Sequence, residues 1–399
     1  MKKISEVKNN IKNYAMFKAS GNLAILAPVY VLIMYAKGLS FAQIMVVQAV
    51  YTFVCTLTDV FSGVLADRIG RKNTLIIGQI LIVGSLAVWT ISNGFYVTIL
   101  TKIVYGIGLT FKNGPDISIL FETLKKLHKE TRFKEVEGKA DSIMFALSAI
   151  EAVVAGFLFK FNSNLPLALS VVISIINLIL IVTFKDPYEH MDIKTSKIHY
   201  LKTLKEDTIY LLKNKKMIGL ISFSAIYFLF IRLGYIQFTP LLKETTFKLE
   251  YIGVAFFLSN MATAYAAKKN VSFSKLFKDN SLNALAMLMM VSLVLLATGN
   301  VYLAILGFMI HQSGRGLSTP IIGQYANNIL PNDKRAAILS YKSMAMNLTY
   351  TVSAVIVSRL DMLSAKQLYI GYALLLAAML FVHNKTFDEF HEHELEYES

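Results

Sequence analysis

Apolar residues along this chain run in stretches of about twenty, broken by short polar connections. Twelve such runs are legible: 13–36, 41–63, 73–92, 95–118, 139–161, 165–184, 217–241, 249–267, 280–298, 301–323, 336–358 and 362–383. A helix needs roughly 20 predominantly apolar residues to cross a bilayer, whereas barrel strands would alternate over ~10 residues. The pattern predicts an all-α membrane protein with twelve transmembrane helices. The longest connection, 185–216, is rich in Lys and divides the runs six and six. It predicts an N-terminal bundle over 1–184, a cytoplasmic linker over 185–216, a C-terminal bundle over 217–383 and an acidic tail over 384–399. Within the linker, Ile198, Leu201, Leu204, Ile209, Leu211 and Leu212 recur at helical spacing. They read either as an amphipathic helix along the inner membrane face or as part of a solvated basic link. The tail, TFDEFHEHELEYES, reads as a solvated segment rather than a metal site.

Composition agrees. Hydrophobic residues make up 55% of the 399, mean hydropathy is +0.52, and charged residues make up 17%; soluble domains carry about 25% charged residues. The net charge of +14 would suit a nucleic-acid partner in a soluble protein. Its distribution says otherwise. With both termini placed in the cytoplasm, 28 of the 40 Lys and Arg fall in inner segments or at their edges, six in outer loops or at their edges and six deeper within spans. Basic residues accumulate on the cytoplasmic side of membrane proteins. This points to a multi-pass protein of the cytoplasmic membrane that does not bind nucleic acid. The N-terminal lead-in, MKKISEVKNNIKNY, has no signal-peptide cleavage pattern. A single cysteine, Cys55, excludes an intrachain disulfide and a cysteine-rich metal site. His and Cys are too sparse for a membrane-embedded enzyme, and no Walker-type phosphate loop appears, so neither catalysis nor ATP is expected. No cofactor or metal is called for.

The connection between the second and third runs holds the sharpest motif, GVLADRIGRK at 63–72. A plain inner loop would account for Arg68, Arg71 and Lys72, but not for Asp67 or the glycines. Gly63 permits close helix packing and Gly70 a tight turn. Asp67 suits the positive end of a neighbouring helix dipole. Arg68 and Arg71 can reach acidic groups near the inner end of the fourth run, Asp116 foremost, with Glu122 as another acceptor and Asp59 one turn before Gly63 able to join. Such a cluster reads as a conformational latch that holds one arrangement of the protein and releases in another.

These residues, in that topological position, resemble the signature loop of the major facilitator superfamily, matched at Gly63, Leu65, Ala66, Asp67, Arg68, Gly70, Arg71 and Lys72. The resemblance implies two pseudo-symmetric six-helix bundles, alternating access, and span 11 as the helix facing Asp67. The fourth run, LTKIVYGIGL, resembles the family's span-4 pattern with Lys102 in place of an arginine, followed by Gly106 and Gly108. PNDKRAAILSYKSM resembles the loop before span 11, with Arg335 and Ser340 in place. The first half looks most like the bacterial drug-exporter branch, which exchanges protons for substrate. It departs from that branch in span 5, where SAIEAVVAGFLF keeps only Gly156. The second-half counterpart of the opening motif, AAKKNVSFSKLFKD at 266–279, keeps charge but not the glycine pattern. GIGL in span 4 and GRGL in span 10 echo one another.

Ionisable residues inside spans are costly and mark functional sites by default. Glu151 lies near mid-membrane in span 5 and reads as the proton carrier, or as a structural partner of a base such as Lys102; Asp59 is a second proton candidate. Arg232 and Arg315 read as cations facing a substrate cavity, suited to an anionic or zwitterionic ligand, or as groups spent on helix carbonyls. His311, Asn347 and Lys102 complete the candidate cavity, with Asn260, Gln312, Tyr227 and Phe228 as further lining. The expected function is export of a small organic molecule by a monomeric secondary transporter, in exchange for protons as the exporter resemblance implies. The alternative is uptake or exchange of an anionic metabolite through Arg232 and Arg315.

Overall fold

The structure is a computed structural model and describes residues 2–21, 23–185, 214–329, 335–360 and 362–379. Among them every regular element is helical. We number the α-helices α1 (Lys2–Gly21), α2 (Tyr30–Ala36), α3 (Phe41–Ile69), α4 (Arg71–Ile91), α5 (Phe95–Lys112), α6 (Pro115–Lys126), α7 (Phe133–Phe161), α8 (Leu165–Thr183), α9 (Lys215–Lys243), α10 (Ile252–Lys268), α11 (Asn270–Phe277), α12 (Ser281–Ala297), α13 (Val301–Ile329), α14 (Arg335–Ser358) and α15 (Ala365–Met379). Six stretches are long and apolar enough to cross a membrane: Phe41–Asp59, Arg71–Ile91, Phe95–Lys126, Glu130–Phe161, Leu165–Thr183 and Met217–Lys243. The bent pair α11–α12 would add a seventh. The other expected runs carry helix too, but are shorter, broken or more polar. The proposed linker helix (186–213) and the acidic tail lie outside the described residues.

Local sequence sets where helices stop. The first run, expected to be one span over 13–36, is broken. Helix α1 ends at Gly21, a 3₁₀ turn follows at Ala24–Leu26, and α2 begins only at Tyr30. Pro28 explains the gap: it offers no N–H and disfavours helical backbone at the residue before it. The fourth run also divides. Helix α5 stops at Lys112, Gly114 adopts φ 94°, and Pro115 takes the first turn of α6, where a missing N–H costs nothing. Helices α3 and α4 are joined by Gly70 alone, at φ 89° and ψ 146°, a conformation only glycine adopts freely. Ser40 and Gln43 form a capping box that starts α3. In the second half, 266–279 does not repeat that sharp corner. It forms the short α11, and α11 and α12 meet at 110°.

The described residues form two compact units. The first comprises residues up to 185 with Leu249–Phe257 and Ala354–Arg359; the second comprises the remainder. In the first, Tyr14 and Phe17 of α1, Leu75 of α4, Leu120 of α6, Ala140 of α7 and Ile181 of α8 share a buried core. Gly78 of α4 and Gly108 of α5 lie back to back: a Cβ on Gly78 would fall 2.7 Å from the Gly108 carbonyl, and one on Gly108 2.6 Å from that of Gly78. Small residues at the crossing let the backbones touch. At one end, Lys37 Nζ donates to the Ser92 carbonyl at 2.7 Å and the Lys37 carbonyl accepts from Gly94 N–H at 3.2 Å. Burial lowers the Lys37 pKa from its usual value. Segment 249–257 packs on α7, and Lys160 Nζ meets Glu250 Oε2 at 2.5 Å.

In the second unit α9, α12 and α13 pack together, and Phe238 stacks on Phe308 with centroids 3.7 Å apart. Glu244 Oε1 accepts from Ala365 N–H at 2.9 Å and so caps the start of α15.

Candidate functional site

Around the opening motif the structure resolves a smaller set of contacts than the motif has residues. Arg68 is exposed. Arg71 Nη1 lies 3.8 Å from Glu122 Oε1 on α6, both side chains about a fifth to a quarter exposed. Lys72 Nζ donates to the Val182 carbonyl at 2.8 Å. Asp116, the first expected acceptor, is engaged locally: Oδ1 accepts from the N–H groups of Gly114 and Ile117 at 3.0 and 2.7 Å. The cause is geometric. The break at Gly114 places Asp116 in the first turn of a new helix, where free N–H groups attract a carboxylate, and Glu122 is left to face Arg71. A part-exposed pair at 3.8 Å is worth about 0–1 kcal/mol, which suits a contact that opens and closes. Asp59 is exposed. The surroundings of Gly63, Asp67 and Arg335 lie outside the described residues.

In the interior of the first unit Glu151, Lys112 and Lys102 are each met by a different chemistry. Glu151 of α7 accepts a hydrogen bond through Oε2 from Ile25 N–H at 3.1 Å. Ile25 lies in the 3₁₀ turn that interrupts the first run. Backbone released from a helix at membrane depth needs partners, and the carboxylate supplies one. Lys112, at the end of α5, donates to Gln79 Oε1 at 2.5 Å and to Asn177 Oδ1 at 2.9 Å. Asn177 Nδ2 in turn donates to the Phe17 carbonyl at 2.7 Å and Ser20 Oγ at 2.8 Å. A cation and an amide donor thus sit beside the last turn of α1, the negative end of its dipole. Sequence reading missed this network. Its members come from four helices, and no local spacing links Lys112 to Gln79 and Asn177.

Lys102 is the third. Its Nζ lies 4.0 Å from the ring centroid of Trp89, 4.4 Å from Tyr30 and 5.1 Å from Tyr105. The residue is 5% exposed, and no hydrogen bond or ion pair is formed by its ammonium among the described residues. Aromatic faces, rather than Glu151, hold this charge.

In the second unit, Arg232 of α9 places its guanidinium carbon 4.0 Å from the Tyr350 ring and 5.5 Å from Phe228, with Nη1 3.5 Å from Asn347 Oδ1. Arg315 is partly buried on α13. His311 is fully buried. Its Nε2 donates to the Phe230 carbonyl at 3.1 Å, and Nδ1 accepts from Gln312 Nε2 at 3.2 Å. Gly234 makes room for it, since a Cβ there would collide with the imidazole. Both ring nitrogens are therefore spent on helix packing, which sets His311 apart from the open lining expected of it. Nearby, Tyr227 Oη and Gln312 Oε1 are buried with no hydrogen-bond partner among the described residues. No cluster of three or more metal-ligating side chains occurs among the described residues.

Several bilayer-length apolar helices with charges embedded between them define a multi-pass membrane protein. The Major Facilitator Superfamily profile matches residues 14–278, and the chain belongs to that family. It is 24% identical over 334 residues to an uncharacterized MFS-type transporter, YxaM, of Bacillus subtilis (strain 168), covering 80% of this chain and 81% of the relative. Among solved structures it superposes on the POT family transporter PepTSo with a TM-score of 0.75 at 11% identity, over 96% of this chain and 98% of that one. It superposes on the nucleoside transporter NupG with a TM-score of 0.71 at 13% identity, over 96% and 100%. Those likenesses are of fold.

Proposed function

We propose that this protein is a secondary transporter that exports a small organic molecule across the cytoplasmic membrane by alternating access, in exchange for protons. The observation that carries the proton half is Glu151. It is an acidic side chain at membrane depth, and its Oε2 accepts from the Ile25 N–H at a helix break. A carboxylate in a low-dielectric interior gains from taking up a proton, because its charged form is the costly one there. Protonation weakens its bond to Ile25 N–H and so couples the proton to the break between α1 and α2. Asp59 is the second proton site on this reading. The weak Arg71–Glu122 contact, with Asp67, Arg68, Gly70 and Lys72, forms the latch that opens as the protein turns over. The transporter works as a monomer on this reading.

The test is proton flux in proteoliposomes carrying an internal pH dye, with organic cations and organic anions added in turn, for wild type and Glu151→Gln. Substrate-driven proton movement that the variant loses supports the proposal. Movement unchanged in the variant removes Glu151 from the pathway, and no movement with any ligand removes proton exchange.

A second reading is uptake or exchange of an anionic metabolite. It is favoured by the position of Arg232, whose planar fork suits a carboxylate or phosphate, beside Asn347 and Tyr350. In the same assay it predicts that anions, not cations, drive flux, and that Arg232→Gln abolishes it.

A further inference from the structure

The ring cage around Lys102 has no role in the reading above. Three aromatic side chains from three helices converge on one point: Tyr30 from the start of α2, Trp89 from the end of α4 and Tyr105 from α5. Trp89 forms the back wall at 1% exposure, its indole N–H donating to Thr98 Oγ1 at 3.3 Å. Tyr30 and Tyr105 are partly exposed, so the side of approach lies past them. An ammonium set against the faces of two or three rings is how proteins recognise alkylated amines. Here the occupant is the protein's own lysine. The usual ways of keeping a buried ammonium are a carboxylate or several carbonyl oxygens, and Lys112, ten residues along the same helix, is kept by amide oxygens. Lys102 has neither. The titratable groups around it are Tyr30 on α2, Tyr105 on its own helix, and Tyr51 and Cys55 on α3, which packs on Tyr105 and Gly106. None of them is a carboxylate.

We propose that the Tyr30–Trp89–Tyr105 cage is a binding site for a small organic ammonium, and that Lys102 is its resident counterfeit ligand. Two cations cannot share one desolvated cage. The ligand enters as the Lys102 ammonium gives up a proton: one N–H bond breaks, its electron pair stays on Nζ, and the proton passes to water. The neutral amine then swings aside, and the site holds one positive charge before and after. Occupancy by ligand and protonation of Lys102 are mutually exclusive, which is the condition for exchanging a cation against a proton. This rests on the proton-exchange reading and deepens it by naming the substrate class.

The chain has one tryptophan, and it is in the cage, so Trp89 emission reports occupancy directly. Choline is the probe. Its neutral isostere, 3,3-dimethylbutanol, has the same shape without the charge. Purified full-length protein in detergent is titrated with each between about pH 6 and about pH 9. Choline is expected to change the emission saturably while the isostere does not. The apparent affinity of wild type should rise with pH, by up to about tenfold per unit while Lys102 is mostly protonated, as one-proton competition requires. Lys102→Met empties the cage of its charge. It should bind choline at least about tenfold more tightly at the low end of the range, with no pH dependence. Lys102→Arg keeps a permanent cation and should bind choline poorly throughout. Tyr105→Leu placed on Lys102→Met should weaken binding again.

The proposal is overturned if folded Lys102→Met shows no saturable response, or responds equally to the isostere. The outcomes separate it from the transport reading. Proton flux that survives alongside an empty cage leaves the exchange reading standing and removes this site. Choline binding with no proton flux leaves the site and removes the exchange.

Discussion

Helices α5 and α13 carry the same short pattern, GIGL at 106–109 and GRGL at 314–317, each in its own unit. In both, the two glycines are two residues apart and so point about 200° away from each other around the helix. The structure uses them for two different neighbours in each case. A Cβ on Gly106 would meet Cys55 Sγ of α3 at 3.1 Å, and one on Gly108 the Gly78 carbonyl of α4. A Cβ on Gly314 would meet Tyr227 Oη of α9 at 2.6 Å, and one on Gly316 would run into the Thr263 carbonyl of α10. The backbone solution is shared. The polar residue preceding it is not. Lys102 on α5 faces only rings. His311 on α13 has both nitrogens hydrogen-bonded and its ring stacked near Phe308. One helix has spent its buried polar group on packing. The other keeps a charge that no hydrogen bond ties down, which is what an exchangeable site requires.

The largest loss from disturbing this comparison is expected at Lys112, the fixed cation of α5. Lys112→Met strands Gln79 Oε1 and Asn177 Oδ1, and at about 1–3 kcal/mol for each buried unpaired group the cost is about 2–6 kcal/mol. Thermal unfolding in detergent should show it, and an unaltered midpoint would mean that the network contributes nothing. Next come the backbone crossings. Gly108→Ala and Gly316→Ala must push helices apart and should each cost about 1–3 kcal/mol. Gly106→Ala and Gly314→Ala meet side-chain ends that can turn away and should cost less than about 1 kcal/mol. Equal losses at all four would show that contact with a carbonyl is no worse than contact with a side chain. His311→Phe keeps most of the volume but leaves the Phe230 carbonyl and the Gln312 amide short of a partner, for about 1–3 kcal/mol. The smallest effect on stability is expected at Lys102. Lys102→Met breaks no hydrogen bond and removes a desolvated charge, so the midpoint should hold or rise while Trp89 emission shifts. A collapse of Lys102→Met equal to that of Lys112→Met would abolish the distinction between the two lysines.

Much of the architecture was legible in the residues. Apolar runs of bilayer length are a property of composition along the chain, and they survive without any tertiary contact. GVLADRIGRK was legible because Gly70 serves a local turn, and it does sit at a corner only glycine tolerates. The break in the first run was legible in principle at Pro28, but a long apolar run masked it. Other readings depended on which helix faces which. Asp116 was expected to answer Arg71. The kink at Gly114 turned it to its own helix, and Glu122 took the place. Lys102 and Glu151 were weighed as a pair, yet they are met by rings and by a freed backbone N–H.

The sequence alone therefore determined that this chain lies in a membrane and which family it belongs to. Each of these follows from transfer of side chains out of water and from backbone preferences of single residues, which act over one or two turns. Only the tertiary structure decided what each buried charge touches. Those partners come from helices up to 160 residues apart, as Asn177 and the Phe17 carbonyl are. In a low-dielectric interior the identity of the partner, not of the charged residue, decides whether the group is a fixed pin or an exchangeable cation.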